Sequence, residues 1–304
     1  MSAQPLTVHN EAGPRLVPQK PIIEAEGLAL AFPMPQRQTR TIFRNLSLTV
    51  ERGEFVCILG ETGCGKSTFL RMILGEDRPT EGRLLVGGRE VNGINRLCGY
   101  VPQKYSLFPD RTVMGNLVFG PECSELGLWK RLSPTARAFR RSVRDEALAR
   151  LKQMGLQASD AAKYPYQLSG GMQQRVAIAQ ALMMKPEILL MDEAFSALDP
   201  NTRAGMQSLI HELWLETRTT IVFVTHNTHE AAHLASRLIV LAQKRNERGA
   251  PVGAEVMLDQ KVPFAEDTLA QRRRRPEVAE LVHRIEHHSH GAFNAPSVDP
   301  EESE

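Results

Sequence analysis

The sequence predicts an α/β layered fold around a buried parallel sheet, and three observations carry that prediction. Four short apolar runs, "FVCIL" (55–59), "ILLM" (188–191), "TIVFV" (220–224) and "LIVL" (238–241), are each bounded by polar or turn residues, as strands covered on both faces are. Between two of them Met206, Leu209, Ile210, Leu213 and Trp214 recur at helical spacing, so strands alternate with helices. Directly after the first run, the glycine-rich stretch "GETGCGKST" (60–68) opens into the apolar helix "TFLRMIL", ended by Gly75.

The elements follow in chain order. Residues 1–20 hold Pro5, Pro14 and Pro18 without sustained periodicity and are expected to be a flexible N-terminal tail. The folded core is expected over 21–244. Within it, residues 121–167 are rich in Arg and Ala with no convincing strand and read as part of a helical insertion (about 115–168). Its clearest helix is "EALARLKQMGL" (146–156), closed by Gly155. After Lys244 the composition shifts through "RRRR" (272–275) to an acidic "DPEESE" end. Residues 245–304 are therefore expected to form a C-terminal extension, with a helix around 276–288 and a disordered end.

Composition narrows the function classes. A chain of 304 residues, 42% hydrophobic and 24% charged, can bury a substantial core and is not broadly disordered. Its formal net charge of +2 supplies no global field for a polyanion, so no nucleic acid partner is expected. Cys57, Cys64, Cys98 and Cys123 show no C-x-x-C spacing, which fits reduced thiols rather than a disulfide framework or a cysteine zinc site. The apolar runs fall far short of the roughly 20 residues that a membrane span requires, and no secretory leader is expected from "MSAQPLTVHN".

The stretch at 60–68 satisfies G-x-x-x-x-G-K-[ST]. Gly60, Gly63 and Gly65 let the backbone curl with its N–H groups inward, and the following helix N-terminus adds positive potential, so the loop can cradle phosphates. Lys66 is placed to reach β and γ phosphates, and Ser67 to ligate Mg²⁺. A triphosphate site also needs a second metal-holding carboxylate and a group to polarise water. "ILLMDEAFSALDP" supplies Asp192 for the first and Glu193 for the second. Taken alone, those two acids are an ordinary acidic strand end; the glycine-rich loop gives them meaning.

In "QLSGGMQQR" (167–175), Ser169 can cap a helix whose Gly170 and Gly171 leave room for a phosphate. With Gln103 in "YVPQKYSLFP", "SALD" (196–199), His226 after "TIVFVT" and Phe32 upstream of the loop, these strings occur in one order. Together they resemble the ATP-binding subunits of ABC transporters over about residues 22–244. The resemblance implies an ABC-type P-loop NTPase core with a parallel sheet, a small antiparallel β subdomain and an inserted α-helical subdomain.

It also implies ATP and Mg²⁺ as ligands. Phe32 stacks on adenine, and Gly60, Glu61, Thr62, Gly63, Cys64, Gly65, Lys66, Ser67 and Thr68 hold the phosphates. Ser67, Gln103 and Asp192 hold the metal. Glu193, His226, Lys66 and Gln103 carry the chemistry, and Ser169, Gly170 and Gly171 of a second copy seal the site in a head-to-tail dimer. The permease is then a separate polypeptide served by an extracytoplasmic solute-binding protein, with this chain peripheral on the cytoplasmic face of the inner membrane. The strings look most like the nitrate, sulfonate and taurine importer group. The competing reading is a soluble ABC-type ATPase acting on nucleic acid or ribosomes. Such proteins usually carry two cassettes or a long coiled-coil insertion, and this chain has neither.

Several features sit outside that pattern. His229-Glu230-Ala231-Ala232-His233 spells the zinc-protease string H-E-x-x-H, but no third histidine follows at the spacing such enzymes use. His229 and His233 are expected to be partly solvated on a helix. Glu61 and Thr62 replace the small or proline residues common in the loop without removing a needed Gly or Lys. Gln180 stands where a basic residue is usual. Residues 122–144 form a longer insertion than usual, made basic by Lys130, Arg131, Arg137, Arg140, Arg141 and Arg144, and a solvated charged helix is the plain reading. A solvated tail is likewise expected for Arg272–Arg275 and for His283, His287, His288 and His290.

Overall fold

Each apolar run becomes a strand with neighbours on both faces. The computed structural model describes residues 20–33, 39–104, 106–126, 134–246 and 250–291. In chain order the elements are β1 (Ile23–Pro33), β2 (Thr39–Val50), β3 (Phe55–Gly60), α1 (Lys66–Leu74), β4 (Glu81–Val86), β5 (Arg89–Glu90) and β6 (Cys98–Val101). Then come α2 (Val113–Glu125), α3 (Pro134–Gln153), α4 (Gly170–Leu182), β7 (Ile188–Asp192), α5 (Pro200–Thr217) and β8 (Thr220–Thr225). The remainder is α6 (Thr228–Leu234), β9 (Arg237–Arg245), β10 (Pro251–Lys261), α7 (Leu269–Arg272) and α8 (Pro276–Gly291).

One sheet runs in the order β5-β4-β1-β2-β10-β9-β3-β8-β7-β6. Strands β9, β3, β8, β7 and β6 pair in parallel. β1 pairs antiparallel with both β2 and β4, forming the small antiparallel part. Side-chain alternation explains why the central runs are apolar throughout. Phe55, Cys57 and Leu59 enter the core that holds α4 and α5, whereas Val56 and Ile58 enter the core around Phe69, Leu70 and Ile73 of α1. The alternative register, slipped by one residue, would exchange these two sets between faces.

Local chemistry sets the helix ends. Gly75 stops α1 in the left-handed conformation (φ 81°), its N–H reaching the Arg71 and Met72 carbonyls. Asp199 caps α5 by accepting from the Thr202 N–H at 3.1 Å, with Pro200 at the first helical position.

Three regions extend or correct the sequence reading. Helix α3 begins at Pro134, well before 146, because Ala136, Val143, Ala147 and Leu151 form a sparse buried stripe among arginines. The boundary expected after Lys244 falls inside β9, and β10 returns along it as a hairpin and bridges to β2 at Ala254. Its strand signal is weakened by Gly253 and by Glu255 and Asp259, which pair with Lys244 and Arg237 at 2.6 and 2.7 Å. The third difference is Arg272, expected in a solvated run but 0% exposed. Its guanidinium donates to the carbonyls of His233 (2.7 Å), Ala235 (2.9 Å) and Ala265 (2.5 Å), tying the segment before α8 to the end of α6. Arg275 pairs with Asp267, and Arg273 and Arg274 are exposed.

Arg137, Arg141 and Arg144 lie exposed on α3, and Arg140 sits 3.8 Å from Glu122. The N-terminal tail, Lys130, Arg131 and the acidic end lie outside the described residues, as do the side chains of His288 and His290.

Removing the buried guanidinium leaves three carbonyls without their donor. Arg272→Met is therefore expected to lower the unfolding free energy by about 2–4 kcal/mol, read from the midpoint of urea denaturation.

Candidate functional site

Strand ends assemble the site. Leu59 pairs with Thr225, and Asp192 pairs with Val224, so the residues that follow these strands emerge together at their C-terminal edge, where open α/β sheets bind ligands. A cleft of about 640 Å³ there is lined by Phe32, Thr62, Gly63, Gly65, Lys66, Ser67, Thr68, Gln103, Glu193 and His226, joined by Arg40 and Ile42. Its volume is that of a small-molecule site. Phe32 is 39% exposed, leaving it available to a ligand.

The loop is shaped by its glycines. Gly63 and Gly65 adopt φ of 87° and 101°, where residues with a side chain are strained. A Cβ on Gly65 would stand 2.6 Å from Ile42 and 2.7 Å from Phe43. Lys66 is buried and spends two of its three donors on the carbonyls of Gly60 (2.7 Å) and Glu61 (2.8 Å). Helix α1 begins at this lysine, and its N-cap, Gly65, offers no side-chain acceptor. By contrast α2, α4, α5, α6 and α7 are each capped by a side chain, from Thr112, Ser169, Asp199, Asn227 and Thr268. A phosphate oxygen fits the unfilled role at α1, since orphan N–H groups of a first turn need an acceptor.

Below the loop, Ser67 Oγ donates to Asp192 Oδ1 at 2.9 Å, and the Tyr100 hydroxyl reaches Asp192 Oδ2 at 3.4 Å. Burial pushes the Asp192 carboxyl above its ordinary range, with the Ser67 hydrogen bond pulling it back. Burial also pushes the Tyr100 phenol up to about 12, reinforced by the Asp192 charge. The Ser67 hydroxyl and the Asp192 carboxylate are oxygen donors of the kind a hard divalent cation such as Mg²⁺ prefers, and Gln103 lines the same cleft as Ser67.

Glu193 stands at the centre. Gln103 Nε2 donates to its Oε2 at 3.1 Å, and His226 Nδ1 lies 3.2 Å from its Oε1. Its backbone is left-handed at φ 43°, a conformation that costs about 1–3 kcal/mol. The surrounding structure holds it there, in part through its N–H donating to the Val224 carbonyl at 2.9 Å.

Not every expected residue faces the cleft. Glu61 and Cys64 line the adjoining hollow with Gln243 and Arg245, and burial keeps the Cys64 thiol raised. Gly60 closes the strand end, where a Cβ would collide with the Leu241 carbonyl. Ser169 and Gly170 lie exposed at the start of α4, and neither they nor Gly171 line this cleft. Ser169 Oγ accepts from the Met172 N–H at 3.3 Å. Arg40, Ile42 and Tyr100 escaped sequence reading. Arg40 and Ile42 come from the distant strand β2, and only the nearness of Tyr100 to Gln103 could have drawn attention to it.

The H-E-x-x-H string does not gather a metal site. Glu230 is 7% exposed and hydrogen-bonded inward, His229 is exposed, and His233 Nδ1 lies 2.6 Å from the His229 carbonyl. No cluster of three potential metal ligands occurs among the described residues.

Comparison with known proteins points one way. The family model described as ABC transporter matches residues 43–196. The aliphatic sulfonates import ATP-binding protein SsuB of Bacillus licheniformis is 40% identical over 204 residues, covering 67% of this chain and 74% of that protein. The taurine import ATP-binding protein TauB of a Jannaschia species is 36% identical over 258 residues, covering 84% and 88%. Among solved structures, the dimeric ABC transporter cassette MJ0796 aligns with a TM-score of 0.65 at 31% identity, covering 79% of this chain and 98% of that one. The same cassette in a post-hydrolysis state bound to ADP and Pi gives 0.64.

The packing at Gly65 yields a direct test. Gly65→Ala is expected to cost about 1–3 kcal/mol of stability through backbone strain and to weaken adenine nucleotide binding at least tenfold, measured by urea denaturation and by titration with a fluorescent nucleotide.

Proposed function

The chain belongs to the ABC transporter family as an ATP-binding ATPase subunit of the importer type, and from that premise we propose that it powers uptake of a small anion of the nitrate, sulfonate or taurine kind through a separate permease. The solute class rests on the names of the SsuB and TauB relatives. The observation that carries the catalytic part is Glu193, held between Gln103 and His226 at the mouth of the phosphate loop.

In this reading the γ phosphate enters beneath the α1 N-terminus, and Lys66 exchanges a loop carbonyl for a phosphate oxygen. Glu193 orients a water whose oxygen attacks the γ-phosphorus while its proton passes to the carboxylate. The bond from the γ-phosphorus to the bridging oxygen breaks, and ADP departs. His226 steadies the carboxylate and the γ phosphate. Ser67, Asp192 and Gln103 would hold Mg²⁺, which offsets phosphate charge when bound. Phe32 stacks on the adenine.

The exposed Ser169-Gly170 turn belongs, in this proposal, to the partner copy's nucleotide. One chain then contributes a loop to one site and a helix start to the other, so ATP closes a head-to-tail dimer and hydrolysis reopens it. The segment around Gln103 and the helices α2 and α3 carry that motion to the permease. The working position is the cytoplasmic face of the inner membrane, peripheral to the permease; no helix among the described residues is long and apolar enough to cross a membrane. A solute-binding protein on the far side delivers the anion.

Two substitutions test the scheme. Glu193→Gln is expected to retain Mg-ATP binding, lower kcat by about 100-fold or more and accumulate a nucleotide-bound dimer on size-exclusion chromatography; turnover at the wild-type rate removes Glu193 from this role. Ser169→Arg is expected to abolish cooperative hydrolysis while leaving nucleotide binding to the monomer intact, measured as ATPase rate against protein concentration. Unchanged hydrolysis argues against a shared site.

A further inference from the structure

Resting on the reading of this chain as an ATPase, we propose that Glu230 is a positioning residue that fixes His226 beside Glu193 through a closed ring of hydrogen bonds with Thr225 and Asn227. The ring is explicit in the geometry. Thr225 Oγ1 donates to Glu230 Oε2 at 2.6 Å. The Asn227 N–H donates to Thr225 Oγ1 at 3.0 Å, and the Glu230 N–H donates to Asn227 Oδ1 at 3.0 Å. His226 is the one residue between Thr225 and Asn227, so its backbone is held on both sides while its ring stays free to meet Glu193.

A second tie makes Glu230 more than a helix cap. Gln207 Nε2, on α5, donates to Glu230 Oε1 at 3.0 Å, so both carboxylate oxygens accept. One turn earlier, Arg203 donates to the carbonyls of Phe195, Ser196 and Leu198 at 3.1, 3.3 and 2.9 Å, clamping the turn that follows Glu193. Helix α5 therefore holds the Glu193 turn through Arg203 and the His226 turn through Gln207 and Glu230. The separation of the two side chains is set by one rigid element. A buried carboxylate is expensive without such partners, and Glu230 has one for each oxygen. This arrangement also accounts for the acid within the zinc-like string: it faces inward to the ring.

The test uses the full-length chain and two substitutions at Thr225 that separate shape from hydrogen bonding. Thr225→Val keeps the volume and β preference but removes the hydroxyl, breaking the ring at two bonds. Thr225→Ser keeps the hydroxyl and removes a methyl. Thr225→Val is expected to lower kcat for ATP hydrolysis about tenfold with Mg-ATP affinity within about twofold of wild type, while Thr225→Ser stays near the wild-type rate. Glu230→Gln, which retains an acceptor for the hydroxyl, is expected to fall between them. Wild-type kcat in Thr225→Val, an equal loss in Thr225→Ser, or a matching loss of Mg-ATP affinity in Thr225→Val overturns the proposal. Lys66→Ala turning over at the wild-type rate would instead overturn the ATPase reading beneath it.

Discussion

The parallel ladder of β3, β8 and β7 is the constraint on which the site depends. Ile58, Val224 and Asp192 share one level of that ladder, and Leu59 and Thr225 the next. Gly60, Glu193 and His226 therefore leave the sheet within about one residue of each other. None of these three is near another in sequence, and no local interaction brings them together. Apolar packing does so. Each central strand is covered on both faces, and a slip of one residue would put Cys57 and Phe223 into the core meant for Ile58 and Val224. Register, and with it the level at which lysine, carboxylates and histidine leave the sheet, is fixed by burial far from the polar groups it aligns. The hydrogen bonds of α5 then hold the Glu193 and His226 turns.

Once that edge exists, polar groups at its rim take conformations that a free chain avoids. Glu193 is left-handed, Lys66 is enclosed by the carbonyls of its own loop, and Glu230 lies buried with both oxygens satisfied. Strain and burial of this kind persist only where surrounding structure over-determines them. Here the over-determination is visible: the Val224 carbonyl holds the Glu193 amide, Arg203 holds the turn beyond it, and Arg272 anchors the far end of α6. The C-terminal segment thus supports the site indirectly, by fixing the helix that follows His226.

How much of this could be read from residues alone follows the same physics. The central strands announce themselves because burial on both faces demands unbroken apolar runs, and the glycine-rich loop because few residue types permit its curl. Position at one sheet edge follows from those two facts. What stayed hidden lacks a local signal. β10 alternates around Gly253 with charges paired across the hairpin, so it resembles a polar linker. Arg272 sits in "RRRR", whose four members look alike in sequence although one is fully buried and two are exposed. Arg40 and Ile42 reach the cleft only through tertiary pairing of β2. Similarly, the acid of H-E-x-x-H is indistinguishable in one dimension from a general base; only its inward direction on α6 tells the two apart.

The two glycine-flanked helix starts show how one physical device serves two places differently. At α1 the N-cap is Gly65, which has no side chain to satisfy the first-turn N–H groups, and a lysine stands at the first helical position. That end is poor as a free helix terminus and good as an anion cradle, because the acceptor must come from outside the chain. At α4 the cap is Ser169, whose hydroxyl satisfies one N–H at 3.3 Å while Gly170 and the serine itself remain at the surface. That end is stable by itself and still leaves room for a close approach. In the proposed head-to-tail dimer the α4 start waits exposed for a second copy and must be stable meanwhile, whereas the α1 start receives a ligand into its own cleft and tolerates an unsatisfied turn. The asymmetry in capping fits the division of labour proposed for the two ends.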